Sequence, residues 1–330
     1  MNKVIIFSHE SDIDGMGSII LGKLAFNEVD YVLLPNVEKL ETTFRSYLQR
    51  GLLEQYDGIY ITDLALYNPS LDLVNNSNLK DKVLVFDHHK RSITDNVNCY
   101  SFTRIITADQ NGKKCGTQLF YEYLIQNQFI LNTKGLQDFV ELTRQEDTWE
   151  WQKHGDFGQM AHDLAILFNA IGAKEYLDRM YYKLSLNNLF EFDLLEREII
   201  QTKKAEYETN IKKIMLEVEY FLDEDNNKFG IVFADYQYRN EIADYIQKNG
   251  NPAAIKYFIL VALEKGEYGQ KSYRAIAPCF DVNLIASKHG GGGHVGAAMV
   301  NITEEQKRLA LTLDKRNALK YLADSSNKLK

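Results

Sequence analysis

The sequence lacks the features that mark membrane proteins and secreted disulfide-rich proteins. No stretch of its 330 residues approaches the roughly 18 consecutive apolar residues that a membrane span requires. The three cysteines are scattered and odd in number, which argues against a disulfide framework and fits a reducing cytoplasm. The first residues already have the pattern of a strand, so we expect no signal peptide. These absences predict a soluble, cytoplasmic protein.

Positive charge is also scarce. The chain has 38 Lys and Arg against 46 Asp and Glu, which gives a formal net charge of -8. Tight nonspecific binding to long duplex nucleic acid depends on neutralisation of phosphates by Lys and Arg, so this balance disfavours it. A phosphate substrate is not excluded, because divalent cations bound in a cleft would supply a positive field locally.

Strands and helices alternate over the first ~130 residues, which predicts a parallel sheet covered by helices. The strand candidates are 3–8, 30–34, 57–62 and 82–87. A further helix begins at Gly116, and the pattern from 133 to 185 is mainly helical. The segment 186–216 is rich in Glu and Lys and free of Pro and Gly, so it predicts one long connecting helix.

A second α/β pattern follows this connecting segment. Its strand candidates are 229–235, 254–263 and 271–277, with a helix at 239–248, a short helix capped by Asp281 and a terminal helix after Thr303. The fold class is therefore α/β with two domains and a cleft between them. We expect an N-terminal parallel-sheet domain over 1–185, a connecting helix or linker over 186–225, and a smaller α/β domain over 226–330.

Carboxylates and imidazoles follow three of the predicted strands. A single Asp at a strand end is usually a helix N-cap, so it is the combination that indicates chemistry. Parallel strands bring their carboxyl ends to one edge of a sheet, where α/β proteins bind their ligands. Asp147, from the helical segment, offers a further acid. The candidates at this edge are His9, Asp12, Asp14, Asp63, Asp87, His88, His89 and Asp147.

Four clustered carboxylates would repel one another unless cations neutralised them. Two divalent ions would bring four positive charges against the four negative charges of Asp12, Asp14, Asp63 and Asp147. Mixed oxygen and imidazole ligands suit Mn²⁺ or Mg²⁺, and the imidazoles favour Mn²⁺. Two metals in one cleft serve in-line hydrolysis at phosphorus, so the set predicts a two-metal phosphoesterase.

A glycine run is the second motif. Gly290 to Gly293 precede His294, and Arg274 lies on a predicted strand nearby in the sequence. Glycines let a backbone approach a ligand closely and present N–H groups to an anion, and Arg binds phosphate through a bidentate fork. Flexible hinges also contain glycine runs, but together with His294 and Arg274 the loop favours a phosphate or nucleotide site.

Together these motifs resemble the DHH phosphoesterase superfamily with a DHHA1-type C-terminal domain. The context Asp147-Thr148-Trp149 and the chain length are similar to its nano-RNase B branch, which degrades very short RNAs. The resemblance implies that one metal binds His9, Asp12 and Asp63. It implies that the other binds Asp14, Asp63, His88 and Asp147. The remaining implied roles are Asp87 as an orienting residue, His89 facing phosphate, and substrate binding by Arg274, Gly292, Gly293 and His294.

The expected function is a cytoplasmic Mn²⁺-dependent phosphodiesterase that releases nucleoside 5′-monophosphates from short oligonucleotides, with RNA favoured. A pAp phosphatase and a linear or cyclic dinucleotide phosphodiesterase remain alternatives. The glycine loop argues against an inorganic pyrophosphatase. A non-catalytic scaffold of the same fold is an alternative of another class, although the full set of candidate ligands argues against it. Cleavage polarity and the formation of a homodimer stay open.

Overall fold

A computed structural model describes residues 3–89, 99–110, 112–263 and 269–324. The chain divides into two compact units, Met1–Gln201 and Thr202–Lys330. Within the described part of the chain, no helix is both long enough and apolar enough to cross a membrane. The finer boundaries expected at 185/186 and 225/226 stay a prediction.

The first unit is built on a five-stranded sheet in which every pairing is parallel. The spatial order is β2-β1-β3-β4-β5. The strands are β1 (Lys3–His9), β2 (Glu28–Leu34), β3 (Gly58–Thr62), β4 (Val83–Asp87) and β5 (Thr103–Ile105). β1 and β3 are central and almost wholly buried, as apolar strands of a parallel sheet should be. The predicted N-terminal parallel sheet is confirmed, and β5 is an addition too short to show a pattern in the sequence.

Helices cover both faces of this sheet because alternate strand residues point to opposite sides. On one face, Phe7 packs edge-on against Phe44, and on the other Tyr60 packs against Phe120. The helices of this unit are α1 (Ile13–Ala25), α2 (Val37–Gln49), α3 (Asn68–Asn75), α4 (Gly116–Gln126), α5 (Lys134–Asp147) and α6 (Gly155–Leu186). A seventh helix, α7 (Leu194–Met215), begins in the first unit and ends in the second. Two short strands, β6 (Ala108–Asp109) and β7 (Gly112–Lys113), pair before α4, and Trp151–Lys153 form a 3-10 turn.

The predicted connecting helix begins later than the sequence pattern indicated. Residues 187–193 are not helical, and α7 starts only at Leu194. Asp193 and Glu196 form a reciprocal capping pair: the Glu196 N–H donates to Asp193 Oδ1 at 2.8 Å, and the Asp193 N–H donates to Glu196 Oε2 at 2.9 Å. The prediction of helix from 186 was therefore wrong for its first two turns, because this cap fixes a later start.

The second unit contains a six-stranded mixed sheet in the order β12-β13-β11-β10-β9-β8. Only β9 and β10 pair in parallel among these described strands. The strands are β8 (Glu219–Leu222), β9 (Lys228–Phe233), β10 (Tyr257–Ala262), β11 (Gln270–Ala275), β12 (Gly292–Gly293) and β13 (Ala297–Asn301). The helices are α8 (Arg239–Lys248), α9 (Val282–Lys288), α10 (Glu304–Thr312) and α11 (Lys315–Ala323).

Local sequence explains where these shorter helices begin. Asp281 accepts hydrogen bonds from the N–H groups of Asn283 and Leu284, so it caps α9 as predicted. Thr303 forms a capping box with Gln306 at the start of α10, again where the sequence placed a helix start. The strands β8, β12 and β13 were not predicted.

Candidate metal centre

The carboxyl ends of β1, β3 and β4 lie side by side, because β3 pairs with β1 on one side and with β4 on the other. β1 ends at His9, β3 is followed by Asp63, and β4 ends at Asp87 before His88 and His89. Strand order alone therefore brings the predicted imidazoles and carboxylates to one edge of the sheet.

The first group of candidate ligands is His9, Asp12 and Asp63. One ligand atom from each lies within 4.8 Å of the others. His9 Nδ1 lies 2.6 Å from Asp12 Oδ2 and 3.6 Å from Asp63 Oδ2. The other Asp12 oxygen accepts the N–H of Gly15 at 3.0 Å, so Asp12 also caps α1. The helix start thus fixes the direction of the Asp12 carboxylate.

The second group is Asp14, His88 and Asp147, again with ligand atoms within 4.8 Å of one another. His88 Nε2 lies 3.7 Å from Asp14 Oδ2 and 3.5 Å from Asp147 Oδ2. The same nitrogen lies 3.2 Å from Asp63 Oδ1. One oxygen of Asp63 therefore faces His9 and the other faces His88, so a single buried carboxylate lies between the two groups.

Asp14 is held by the N-terminus of α4. Its two carboxylate oxygens accept the backbone N–H groups of Gly116 and Thr117, each at 2.7 Å. The Thr117 hydroxyl donates to the Asp14 carbonyl oxygen at 2.5 Å. Backbone amides at a helix N-terminus are good partners for a carboxylate, so these contacts hold the Asp14 side chain in place. Sequence reasoning missed this role of Gly116 and Thr117, although both lie in the segment predicted to start a helix.

Asp63 occupies left-handed backbone, with φ of 58°. Asp and Asn adopt this conformation more readily than bulkier residues, because their short polar side chains hydrogen-bond locally. A Cβ on Gly116 would lie 2.7 Å from the Asp63 backbone nitrogen. Glycine at 116 therefore allows α4 to approach the end of β3 closely enough to reach Asp14.

Asp87 and His89 form a separate pair beside these groups. His89 Nδ1 lies 2.7 Å from Asp87 Oδ1, and Asp87 is buried while the His89 side chain is 39% exposed. Burial opposes the charge on the His89 ring, but the Asp87 carboxylate outweighs it and raises the pKa of His89 above its usual value. The pair places beside the carboxylate groups an imidazole whose protonated form is favoured by Asp87.

Burial and mutual repulsion perturb the remaining ionisable groups. Burial, then the nearby carboxylates Asp14 and Asp12, raises the pKa values of Asp63 and Asp147 well above the usual range. Burial, with a further contribution from His89, lowers the pKa of His88 to about 4. Without cations the environment therefore favours the protonated forms of Asp63 and Asp147 and the neutral form of His88. A neutral imidazole is the form of histidine that binds metal.

The residues present fit divalent cations. Carboxylate oxygens and imidazole nitrogens are the ligands of Mn²⁺ and Mg²⁺ sites. Asp147 Oδ2 is buried and has no hydrogen-bond partner among the described residues, although it lies 3.5 Å from His88 Nε2. A buried carboxylate oxygen without a hydrogen-bond donor destabilises the fold unless a cation binds to it. The cluster can therefore hold metal.

The predicted substrate residues all belong to the second unit. The Arg274 guanidinium donates from Nε to Asn240 Oδ1 at 2.8 Å and from Nη1 to Ser272 Oγ at 2.9 Å. Gly292 and Gly293 form β12, and the chain turns between His294 and Ala297, where the His294 N–H donates to the Ala297 carbonyl at 2.7 Å.

The glycine run does not present one continuous row of donors. The N–H groups of Gly290 and Gly291 bond to the carbonyls of Ser287 and Ala286, so these two glycines close the end of α9. The loop is thus a helix end followed by a hairpin, a feature that the sequence pattern did not reveal.

Comparison with known families matches residues 3–143 to the DHH family, N-terminal domain. The oligoribonuclease NrnB of Bacillus subtilis is 31% identical over 305 residues, which cover 91% of this chain and 73% of the relative. This chain belongs to the DHH family. The resemblance carried by the strand-end motifs is confirmed.

Two solved structures share the fold of this DHH chain. The DHH domain of a member of the S1p family of ribosomal proteins matches with a TM-score of 0.62 at 13% identity, covering 100% of this chain and 87% of that one. The pGpG-specific phosphodiesterase PggH of Vibrio cholerae matches with a TM-score of 0.52 at 13% identity, covering 98% and 100%. At these identities the matches show the fold alone.

Proposed function

We propose that this protein is a two-metal phosphodiesterase that hydrolyses short oligonucleotides to nucleoside 5′-monophosphates. The observation that carries the proposal is the position of Asp63, whose two carboxylate oxygens face different groups of ligands, 3.6 Å from His9 Nδ1 and 3.2 Å from His88 Nε2. A carboxylate so placed is suited to bridge two cations. Paired cations are the usual means of activating in-line displacement at phosphorus.

The proposed assignment divides the ligands as the two groups do. One cation would be held by His9, Asp12 and Asp63, and the other by Asp14, Asp63, His88 and Asp147. When bound, the cations would polarise the scissile phosphate and offset the charge that develops on it. We infer Mn²⁺ as the preferred ion because two imidazoles contribute, with Mg²⁺ as the alternative.

Asp87 and His89 would act on the substrate rather than on a cation. The short contact between them keeps Nδ1 of His89 directed at Asp87. Because Asp87 favours its protonated form, the partly exposed His89 ring is suited to contact a phosphate oxygen or to give a proton to the leaving oxygen. The buried Asp87 carboxylate would fix the orientation of the His89 ring and favour its protonated form.

The similar proteins support short oligonucleotides as the proposed substrate class. The curated relative is an oligoribonuclease, and one protein of the same fold is a pGpG-specific phosphodiesterase. The net charge of -8 favours short substrates over long ones, since it offers no excess of cations to a long phosphate backbone. We propose Arg274, Gly292, Gly293 and His294 as substrate-binding residues and the cytoplasm as the location. pAp and linear or cyclic dinucleotides are the alternative substrates.

The test is hydrolysis of end-labelled RNA and DNA from 2-mers to 24-mers, with Mn²⁺, Mg²⁺ or EDTA. We expect metal-dependent release of mononucleotides, fastest for the shortest strands. Cleavage of a 24-mer as fast as a 2-mer would reject the preference for short substrates but keep the chemistry. If no substrate of any length is cleaved in a metal-dependent way, the phosphodiesterase proposal is rejected and a non-catalytic scaffold is favoured.

A substitution tests the ligand assignment. His88→Ala should reduce turnover at least 100-fold, because it removes a buried imidazole that faces Asp14, Asp63 and Asp147 (~100-fold being typical of a lost catalytic contact). His154→Ala is the matched control, since His154 is exposed and lies outside the centre. Near-normal turnover of His88→Ala would contradict the two-metal assignment.

A further inference from the structure

Five of the helices in the described part of the chain end in the same hydrogen-bonded motif. In each, the residue two positions past the helix has left-handed backbone, and two N–H groups bond back to carbonyls of the last turn. Glycine holds that position after α2, α8 and α9, at Gly51, Gly250 and Gly290. After α4 it is Gln128, and after α5 it is Trp149.

Trp149 is the anomaly in this set. Its φ is 62°, its N–H donates to the Glu146 carbonyl at 3.1 Å, and the next N–H donates to the Gln145 carbonyl at 2.8 Å. Left-handed backbone is unfavourable for a residue with a bulky side chain and free of penalty for glycine. A tryptophan here costs stability at the backbone, which makes its side chain a candidate for a role that glycine could not fill.

The surroundings of Trp149 indicate what that is. It lies two residues beyond Asp147, so its backbone is at most about 7 Å from that candidate ligand. Its ring packs edge-on against Trp151, with centroids 5.8 Å apart, and Trp151 is buried and stacks on His162 at 4.2 Å. Trp149 itself is only partly buried. Trp151 and His162 thus support one side of an indole that is partly accessible and whose backbone lies close to the candidate ligand Asp147.

Resting on the proposed function, we propose that Trp149 stacks on a nucleobase of the oligonucleotide whose phosphate enters the metal centre. Every base offers a π-face, so a supported indole would bind any sequence. The stack is uncharged, and it therefore avoids the repulsion that an anionic substrate meets from an acidic protein. The competing explanation is that Trp149 only buttresses Trp151.

Trp149→Gly separates these explanations, because glycine suits the backbone and removes only the ring. We expect KM for the dinucleotide pApA to rise about tenfold, within the range of one base–aromatic stack, with kcat within about threefold of wild type. Trp149→Phe should keep most of the affinity. Trp149→Leu, which keeps apolar bulk without a π-face, should lose it. Gln128→Gly changes the same motif after α4 and should leave KM unchanged.

A pApA analogue that lacks one base supplies the readout that a structural role would not move. Wild type should bind one of the two base-deleted analogues about tenfold more weakly than pApA, while Trp149→Gly should not discriminate between them. Equal KM for pApA in Trp149→Gly and wild type would overturn the stacking proposal alone. So would a Trp149→Gly substitution that weakens binding of both base-deleted analogues by the same factor, because the variant would then still discriminate between them as wild type does. Failure of wild type to cleave pApA would instead overturn the phosphodiesterase on which the proposal rests.

Discussion

Replacing Asp63 by Asn should stabilise the metal-free protein and remove most of its stabilisation by Mn²⁺. Asn is nearly isosteric and tolerates the left-handed backbone at φ 58°, so the fold should be kept. The substitution removes one negative charge that lies within 4.8 Å of ligand atoms on Asp12 and on Asp87. An Asp→Asn change in a buried contact usually lowers the free energy of unfolding. Here we expect it to rise, because the charge that is removed is repelled by its neighbours.

The expected gain in stability of metal-free Asp63→Asn can be estimated from these distances. Two unit charges 4.8 Å apart repel by about 3 kcal/mol at an effective dielectric constant of 20. Protons that bind to the cluster neutralise part of this repulsion, so we expect a net gain of about 2 kcal/mol, which corresponds to a rise in Tm of about 4–8 °C for a unit of this size. Mn²⁺ at 100 times its Kd would stabilise the wild type by about 2.7 kcal/mol.

The gain should depend on pH with a defined sign. The pKa of Asp63 is raised in the folded state by burial and by the carboxylates of Asp14 and Asp12, so the folded protein holds a proton that the unfolded chain releases. The metal-free wild type therefore loses stability as pH rises from about 4 through the folded pKa. The difference in stability between metal-free Asp63→Asn and metal-free wild type should therefore increase with pH over that range. Below that range the two proteins should be equally stable.

Thermal unfolding followed by tryptophan fluorescence suits this test, because Trp149 and Trp151 are the two tryptophans and both lie in the first unit. Asp81→Asn, in the exposed turn before β4, is the control and should change neither Tm nor the Mn²⁺ shift. The reasoning is refuted if metal-free Asp63→Asn melts below wild type at neutral pH, or if Mn²⁺ stabilises both equally.

Three further substitutions test the residues that hold the candidate metal ligands and His89 in position. Thr117→Val should weaken Mn²⁺ binding about tenfold in titration calorimetry because it removes the hydroxyl bond to Asp14, whereas Thr117→Ser should not. Gly116→Ala would place a Cβ 2.7 Å from a backbone nitrogen at the end of β3, and it should lower the free energy of unfolding in urea by about 2 kcal/mol or more. Asp87→Asn removes the charge that raises the pKa of His89, so the basic limb of the pH–kcat/KM profile should move to lower pH; an unmoved limb would exclude His89 as the proton donor.

The strand-end residues of the first unit could be predicted because local sequence determines them. An apolar run followed at once by Asp63, or by Asp87, His88 and His89, marks both a buried strand and the polar edge where it ends. Parallel pairing then brings these ends together without further information. The same local logic located Asp281 and Thr303 as helix caps.

What could not be predicted depends on contacts between distant parts of the chain. Nothing in the segment around Gly116 and Thr117 shows that their N–H groups face Asp14, and no residue type alone indicates the backbone of Asp63. The glycine loop was ambiguous for the same reason, since a helix end and a hairpin both use glycine. The late start of α7 was encoded locally, by Asp193 and Glu196, and the capping pair was overlooked.

The bonds that hold Asp14 join residues 102 and 103 positions apart. A ribosome that has released β1 through β4 has already exposed every strand-end residue of the centre, yet α4 and Asp147 have still to emerge. Until they do, Asp14 has no amides to fix it, and the nascent chain lacks two of the arrangements on which tight cation binding depends. A cation would therefore meet the complete set of candidate ligands only at a late stage of synthesis.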